Sequence, residues 1–306
     1  AVLSAGVFTN LILAVLFFLL LSVFFLYAYV PAGAIFNTYT PGVVEIAGIG
    51  MIGGKIVNDN SAEGILKLIE DNNLEDSLIL GDSGNDLKLT EVIVNGKKYY
   101  TNINNLEFQL ENPVVEGNIA LFGNFPAINA GLRGVIIGID DKKISDMKDL
   151  GNILSEYNVG DEVTITTKEG NEILEFDLVL SEYPNDPGRA IMGINLVTRG
   201  NERILGKITE FFNFFKEEGT KYEPKFNPEL ILFIYNLIWW LALINLSVAL
   251  VNMWPVAIFD GGRFFMLTVW AITGSEKFAM RAFKLVTYLI LASLALLMVG
   301  WFLAIF

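Results

Sequence analysis

In the segment VNMWPVAIFDGGRFF (residues 251–265), Asn252, Pro255 and Asp260 stand at spacings that could do chemistry. Residues 230–259 contain no Asp, Glu, Lys or Arg, and Asp260 then ends the uncharged run. A carboxylate at the edge of a hydrocarbon-like segment needs water, a cation partner or a metal. Asn245 precedes Asn252 by seven residues, which puts both within about 20° on one helical face. Polar side chains at membrane depth point into protein or toward a watery cavity. Asn236 lies roughly opposite and reads as a packing or interfacial residue. Pro255 lacks an amide donor, so it breaks or kinks the helix and frees a carbonyl in the turn before it. Irregular backbone of that kind is tolerated where it is buried in protein or lines a cavity. Gly261 and Gly262 are expected to let the chain turn tightly beside Asp260. The plainer alternative is a helix that ends at the surface, with Asp260 paired to Arg263 and the asparagines linking helices.

These residues must be held by membrane-spanning elements. The chain has 306 residues, 53% of them hydrophobic. Residues 7–30, 230–259 and 285–306 are each uncharged and long enough to cross a bilayer, which takes about 20 apolar residues. Between the first two runs, residues 31–228 carry 17 Lys and Arg against 31 Asp and Glu. Arg263, Lys277, Arg281 and Lys284 fall between the second and third runs, so the positive-inside rule puts that loop in the cytoplasm and the acidic insert outside. The acidic balance argues against nucleic acid as a partner.

The chain has no Cys and no His. That excludes, within these 306 residues, a disulfide framework, Ser-His hydrolysis, His-ligated zinc and an imidazole base. Residues 7–30 lack the basic flank of a signal peptide. A sequence opening at Ala1 without Met is expected to be missing an N-terminal part.

The insert reads as short alternating strands punctuated by Gly, Asn and Asp. In residues 117–182, GNIALFGNF reads as a strand, PAINAGL as a helical turn, and RGVIIGIDDKKI as a hairpin around Asp140 and Asp141. SDMKDLGNIL reads as a helix with Ser145 as N-cap and Met147, Leu150, Ile153 and Leu154 on one face. VGDEVTITTKEGNEILEFDLVL closes the unit as two strands joined at Glu169 and Gly170. This order resembles a bacterial-type, permuted PDZ domain, although the usual Gly-Asp pair after the AGL turn is reduced to Arg133-Gly134. The resemblance implies capture of an extended peptide as an added strand, with Gly193 and Ile194 in PGRAIMGINL as the candidate edge. A small α/β spacer without a ligand is the alternative. In residues 201–215, Ile204, Leu205, Ile208, Phe211, Phe212 and Phe215 share one face, which suits an interfacial helix or a helix packed on the PDZ-like domain.

INLSVALVNMWPVAIFDGGRFF resembles the C-terminal motif of the site-2 proteases, intramembrane zinc metalloproteases of the peptidase M50 kind. AGVFTNLILA, with Ala5, Gly6, Asn10 and Ala14, resembles that family's AGPxxN segment, with Val7 in place of the usual Pro. A PDZ-like domain between the two segments is also the family arrangement. The resemblance implies that Asp260 is a Zn2+ ligand and that Asn252 is catalytic, positioning substrate backbone or stabilising an oxyanion. Asn10, Asn245 and Pro255 would then contact substrate. The family's other ligands are the histidines of an HExxH helix, which this sequence does not contain.

The expected architecture is a polytopic α-helical membrane protein with an inserted extracytoplasmic α+β PDZ-like domain. Its parts are a first span (1–30), an unassigned mixed region (31–116), the PDZ-like domain (117–182), a connector with the interfacial helix (183–228), a second span (229–262), a cytoplasmic basic loop or short helix (263–284) and a last span (285–306). The expected function is intramembrane cleavage of transmembrane segments, in a multi-pass protein of the cell membrane. Its partners would be transmembrane substrates, peptide termini at the PDZ-like domain and the lipid bilayer. The alternatives are a membrane-anchored PDZ-like adaptor or a pseudoprotease. A transporter with a helix broken at Pro255 fits less well, because three spans offer no inverted second half.

Overall fold

The computed structural model describes residues 2–80, 87–113, 115–184, 186–196 and 213–305. The chain divides into two compact units, residues 30–223 and a helical unit formed by residues 1–29 with 224–306. Helix α1 (Val2–Ala28) is uncharged from end to end, and the buried side chains Val7, Ala14, Leu21 and Ala28 recur every seven residues.

After β1 (Tyr29–Ala34) and β2 (Phe36–Tyr39), the insert repeats one folding pattern. In the first copy, β3 (Pro41–Glu45) leads through a 3-10 turn (Ile46–Gly48) to the hairpin β4 (Ile49–Ile52) and β5 (Lys55–Ile56). Helix α2 (Ala62–Asp71) and β6 (Leu78–Leu80) come next, then the hairpin β7 (Leu87–Val94) and β8 (Lys97–Thr101). Strand β4 pairs antiparallel with β7, and β7 with β8. Helix α3 (Ile103–Glu111) closes this copy.

The second copy begins at β9 (Asn118–Gly123), turns through α4 (Pro126–Asn129) and forms the hairpin β10 (Val135–Ile139) and β11 (Lys142–Lys143). Helix α5 (Met147–Leu154) and the hairpin β12 (Glu162–Glu169) and β13 (Glu172–Val179) complete it. Pairing again runs β10 to β12 and β12 to β13, both antiparallel. Strands β3 and β9 open the two copies and pair with each other, Val43 opposite Ala120. Two cores result. Ile49, Ile52, Ile65, Val92 and Leu106 are in one, which also takes Leu121 from β9, and Ile128, Leu132, Ile136, Ile139, Leu150 and Ile165 are in the other, which also takes Leu89 from β7.

Beyond the last hairpin the copies diverge. Ile103, Leu106 and Leu110 of α3 are buried in one cluster with Ile65 and Ile69 of α2. The second copy instead continues into β14 (Ser181–Tyr183), β15 (Asp186–Ile191) and β16 (Ile194–Leu196), with α5 and β15 facing each other across a groove. Strand β17 (Thr220–Pro224) returns beside β1 in the second copy's sheet. Residues 201–212 of the expected amphipathic helix lie outside the described residues. The cap of α5 is Asp146 rather than Ser145: its carboxylate accepts from the Asp149 amide at 2.8 Å, while the Ser145 amide donates to the Asp149 carboxylate. Both types cap well, and the chain uses the later one.

The helical unit continues with α6 (Pro228–Asn252), α7 (Asp260–Thr273) and α8 (Glu276–Ile305). Among the described residues, α1, α6 and α8 contain the three apolar stretches long enough to span a bilayer, at 6–28, 228–252 and 276–303. The stretch expected as a loop or short helix between the last two spans is almost wholly helical. α7 fills it to Thr273, and α8 is already under way at Glu276, nearer the chain start than Leu285.

Candidate functional site

The helical unit builds a bent corner at the end of α6. Tyr235 near the start of α6 packs edge-on against Phe25 near the end of α1 and Tyr29 just beyond it, with ring centroids 6.3 and 6.1 Å apart. The Lys225 amide donates to the Ala28 carbonyl at 2.9 Å. α1 and α6 therefore pack side by side with opposite chain directions. Counting fifteen residues back from Phe25 and fifteen on from Tyr235, about 22 Å of rise on each helix, sets Asn10 at the level of Leu250. On α6, Ile231 and Ile238 are buried, and the same seven-residue stripe continues through Asn245 and Asn252, both half-buried. Asn10 is half-buried too, and Asn236 is exposed. The small residues Ala14, Ala242 and Ala249 are buried in these helices, where small side chains let backbones approach closely.

α6 ends at Asn252, three positions before Pro255. Proline disfavours helix at the residue before it and offers no amide. The Met253 and Trp254 amides still reach back to the Leu250 and Val251 carbonyls at 3.1 Å, which tightens the last turn. Short turns then link the Val256 amide to the Trp254 carbonyl and the Phe259 amide to the Val256 carbonyl, and α7 opens at Asp260. The Pro255 carbonyl accepts from the Thr287 hydroxyl of α8 at 3.3 Å. Sequence reading missed Thr287, because no short-range pattern links it to Pro255.

Gly261 and Gly262 do not form a turn. They lie inside the first turn of α7, and neither has a positive φ. Their role is close approach: a Cβ on Gly261 would fall 2.2 Å from the Met253 carbonyl oxygen, and one on Gly262 would fall 2.2 Å from that of Val256. The start of α7 is thereby pressed onto the end of α6, so Asp260 and Asn252 share one corner through their neighbours Gly261 and Met253. Asp260 is half-buried in the first turn of α7, where the helix dipole favours a carboxylate. Arg263 is exposed, and among the described residues no ion pair joins it to Asp260. The Asn245 amide group donates to the Leu241 carbonyl of its own helix at 2.8 Å, so it does not link helices through that bond.

The residues present do not make a zinc site. Among the described residues no group of three His, Cys, Asp or Glu could hold a metal, and the sequence has neither His nor Cys. One carboxylate falls short of the three protein ligands of a hydrolytic zinc.

The insert holds a second candidate site, the groove beside α5. Its volume is about 590 Å³, and its lining includes Leu150, Gly151 and Leu154 of α5 and Arg189, Gly193 and Ile194 opposite. The Thr40 amide donates to the Gly193 carbonyl at 2.9 Å and the Ala127 amide to that of Met192 at 2.8 Å. Gly193 has φ +88°, and a Cβ there would lie 2.0 Å from the Phe125 Cβ. At the end of α5, the Tyr157 hydroxyl donates to the Asp140 carboxylate at 2.6 Å, and the Thr164 amide donates to its other oxygen at 2.8 Å. That pairing pushes the Tyr157 phenol up to about 12, with burial adding to it, and holds the Asp140 carboxyl below its ordinary value. In the core of the second copy the Tyr39 phenol is likewise up at about 12, chiefly through burial, and donates to the Leu132 carbonyl at 2.8 Å. Sequence reading singled out Gly193 and Ile194 but missed Gly151 and Arg189, because a lone helical glycine and a lone arginine carry no pattern.

Over 54 residues the chain is 44% identical to Protease Do-like 8, chloroplastic, of Arabidopsis thaliana. That stretch is 18% of this chain and only 12% of the plant protein. Among solved structures, the PDZ domain of an SdrC-like protein from Listeria monocytogenes is similar at 26% identity and a TM-score of 0.22, over 24% of this chain and 78% of that domain. The model of peptidase family M50 matches residues 1–298. Members of that family are membrane metalloproteases, which accords with the three long apolar helices of this membrane protein. A match over nearly the whole length shows that the chain belongs to peptidase family M50.

Proposed function

We propose that the chain is the part of an intramembrane metalloendopeptidase that carries the Asp260 corner and a peptide-capturing insert. The observation that carries this reading is the corner itself. Backbone contacts at Gly261 and Gly262 hold a half-buried carboxylate beside the half-buried Asn252, at the end of an apolar helix. In this reading Asp260 is one zinc ligand, Asn252 faces the scissile carbonyl, and Asn10, Asn245 and Pro255 border the substrate segment. The other ligands are not among these 306 residues, so the chain alone binds zinc weakly and cleaves nothing. The insert stands outside the cytoplasm and its groove, with Gly193 and Ile194 on the edge, takes an extended peptide. The substrates are transmembrane segments of other proteins in the cell membrane.

Zinc titration of the purified 306-residue chain is the test: weak binding, unchanged by Asp260→Ala, is expected. Tight stoichiometric binding that Asp260→Ala removes would show a complete site and overturn the assignment of the missing ligands. The coding sequence upstream of Ala1 gives a second arm. An apolar segment carrying HExxH supports the peptidase, and proteoliposomes of that longer protein should cleave a single-span substrate and lose cleavage in Asp260→Asn. An upstream segment without His favours a membrane-anchored adaptor or pseudoprotease, a second reading that the well-formed groove and the lone carboxylate also fit.

A further inference from the structure

The first turns of α8 have two faces with different tasks. On one, Ala279 and Thr287 are buried, and a Cβ on Gly262 would fall 2.9 Å from the Phe283 ring. Ala279, Phe283 and Thr287 follow one another at four-residue intervals, so they form a single stripe against the proline corner. On the other face stand Lys277, Arg281 and Lys284, all exposed. At about 100° per residue the three fall within an arc of about 60°, turned about 130° away from the buried stripe. Tyr288, 68% exposed, lies in the same arc, one turn beyond Lys284.

The helix itself does not ask for these cations. Like charges three and four positions apart repel, and a cation in the first turn, as at Lys277, opposes the helix dipole. Among the described residues none of the three forms an ion pair. Glu276, the one acid of α8, is set about 100° round from Lys277. The positive-inside rule counts charges and does not require that they share a face. Depth supplies the reason for their place. Residues 285–305 carry no charge and rise about 31 Å, which matches a hydrocarbon core of about 30 Å. With that length in hydrocarbon, Lys277, Arg281 and Lys284 stand at headgroup level on the side of α8 that looks into lipid. Tyr288 falls at the boundary, where tyrosine rings settle with the hydroxyl toward the headgroups.

We propose that Lys277, Arg281, Lys284 and Tyr288 form a binding site for an anionic phospholipid. The lipid phosphate lies among the three cations and relieves their repulsion, the Tyr288 hydroxyl donates to it or to a glycerol ester, and the acyl chains run along the exposed apolar side of α8. The same turns of α8 hold the corner on their other face, through the Thr287 hydroxyl and the Pro255 carbonyl. A bound lipid therefore steadies the helix against which the corner is built. The site needs neither the metal nor a peptide to fill.

The full chain in a neutral detergent is titrated with phosphatidylglycerol and, separately, with phosphatidylcholine, and native mass spectrometry counts the lipid retained. Wild type is expected to hold one phosphatidylglycerol per chain far more tightly than phosphatidylcholine. Each cation near a lipid surface contributes about fivefold in affinity. Arg281→Gln should therefore weaken phosphatidylglycerol about fivefold, and the triple variant Lys277→Gln, Arg281→Gln, Lys284→Gln on the order of a hundredfold. Lys277→Arg and Lys284→Arg keep the charge and should bind as wild type does. Lys67→Gln removes an equal charge from the exposed face of α2 and should change nothing. Tyr288→Phe should weaken binding less than Arg281→Gln does; no effect would take Tyr288 out of the site. Phosphatidylglycerol should also raise the thermal unfolding midpoint of wild type, by mass action on the folded state, and should not raise that of the triple variant. Circular dichroism shows that each variant is folded. Equal retention of the two lipids overturns the proposal, as does a loss in Lys67→Gln as large as that in Arg281→Gln. Displacement of the lipid by inorganic phosphate at equal concentration would make the ligand a free phosphate and overturn the lipid assignment.

Discussion

The Thr287 hydroxyl of α8 donates to the Pro255 carbonyl across 3.3 Å, tying the proline corner to a residue 32 positions further along the chain. Thr287 is 8% exposed, so the bond is shielded. Thr287→Val keeps the shape and removes the donor, leaving a shielded carbonyl without that partner. The loss should be about 1 kcal/mol by the usual value for such a bond, or about 0.6 kcal/mol by measurements between membrane helices. Thr268→Val is the comparison, because that exposed hydroxyl donates to the Phe264 carbonyl of its own helix. Unfolding in detergent should show a lower midpoint for the first variant and little change for the second; equal midpoints would mean that the tie contributes nothing to the corner.

The two glycines after Asp260 make a sharper prediction. An alanine Cβ at either position would fall 2.2 Å from a carbonyl oxygen of the corner, a distance that backbone must move to relieve. Overpacking of this kind costs about 1–3 kcal/mol, and here it pushes the start of α7 off the end of α6. Gly261→Ala and Gly262→Ala should each lower the unfolding midpoint and raise protease sensitivity between 253 and 260. Gly300→Ala serves as control: its Cβ would meet nothing within 4 Å, and α8 gains helix propensity. If all three variants behave alike, close approach is not what these glycines provide.

Much of the helical unit could be read in advance because its signals are local. Three uninterrupted apolar runs mark the long helices, and the spacing of Asn245 and Asn252 puts them on one stripe with Ile231 and Ile238. Pro255 announces the break. The function of Gly261 and Gly262 was not legible, since it depends on where the carbonyls of Met253 and Val256 return in space. The start of the helix over Asp260–Thr273 was not legible, since the paired glycines read as a turn and the stretch from 263 as a basic loop or a short helix. In the insert, the strands and turns of residues 117–182 arise from alternation and turn residues. The repeat relating β3–β8 to β9–β13 did not show, because the turns diverge, Gly53-Gly54 in one copy and Asp140-Asp141 in the other. Only the matched pairing of β4 with β7 and β10 with β12 brings it out.

The Tyr157–Asp140 pair predicts a pH window. The Asp140 carboxyl is held below its unfolded value, so its contribution is present above about pH 4 and fades as pH falls through its folded value. The Tyr157 phenol is raised to about 12, so its contribution is whole below its unfolded value, about 10, and is lost as pH rises through about 12. The stability difference between wild type and Tyr157→Phe should therefore be widest between about pH 4 and 10 and shrink on both sides. Thermal unfolding across that range measures it, and a difference that stays constant with pH would mean the hydrogen bond contributes nothing.

Gly193 offers the most discriminating variant in the groove. Its φ of +88° is strained for any residue with a Cβ, and that Cβ would lie 2.0 Å from the Phe125 Cβ. The two costs can be separated. Phe125→Ala keeps the offending Cβ, so it should not rescue Gly193→Ala. Phe125→Gly removes it and should restore part of the loss, leaving the strain of the positive φ, about 1–2 kcal/mol. The link between β15 and β16 that bears Gly193 is pinned by the Thr40 and Ala127 amides, so it cannot shift without breaking those bonds. Circular dichroism melts of the four proteins, with peptide binding as a second readout, decide the matter. Rescue by Phe125→Ala equal to that by Phe125→Gly would place the clash on the ring rather than on the backbone-bound carbon, and would mean the groove floor yields where the contacts say it is fixed.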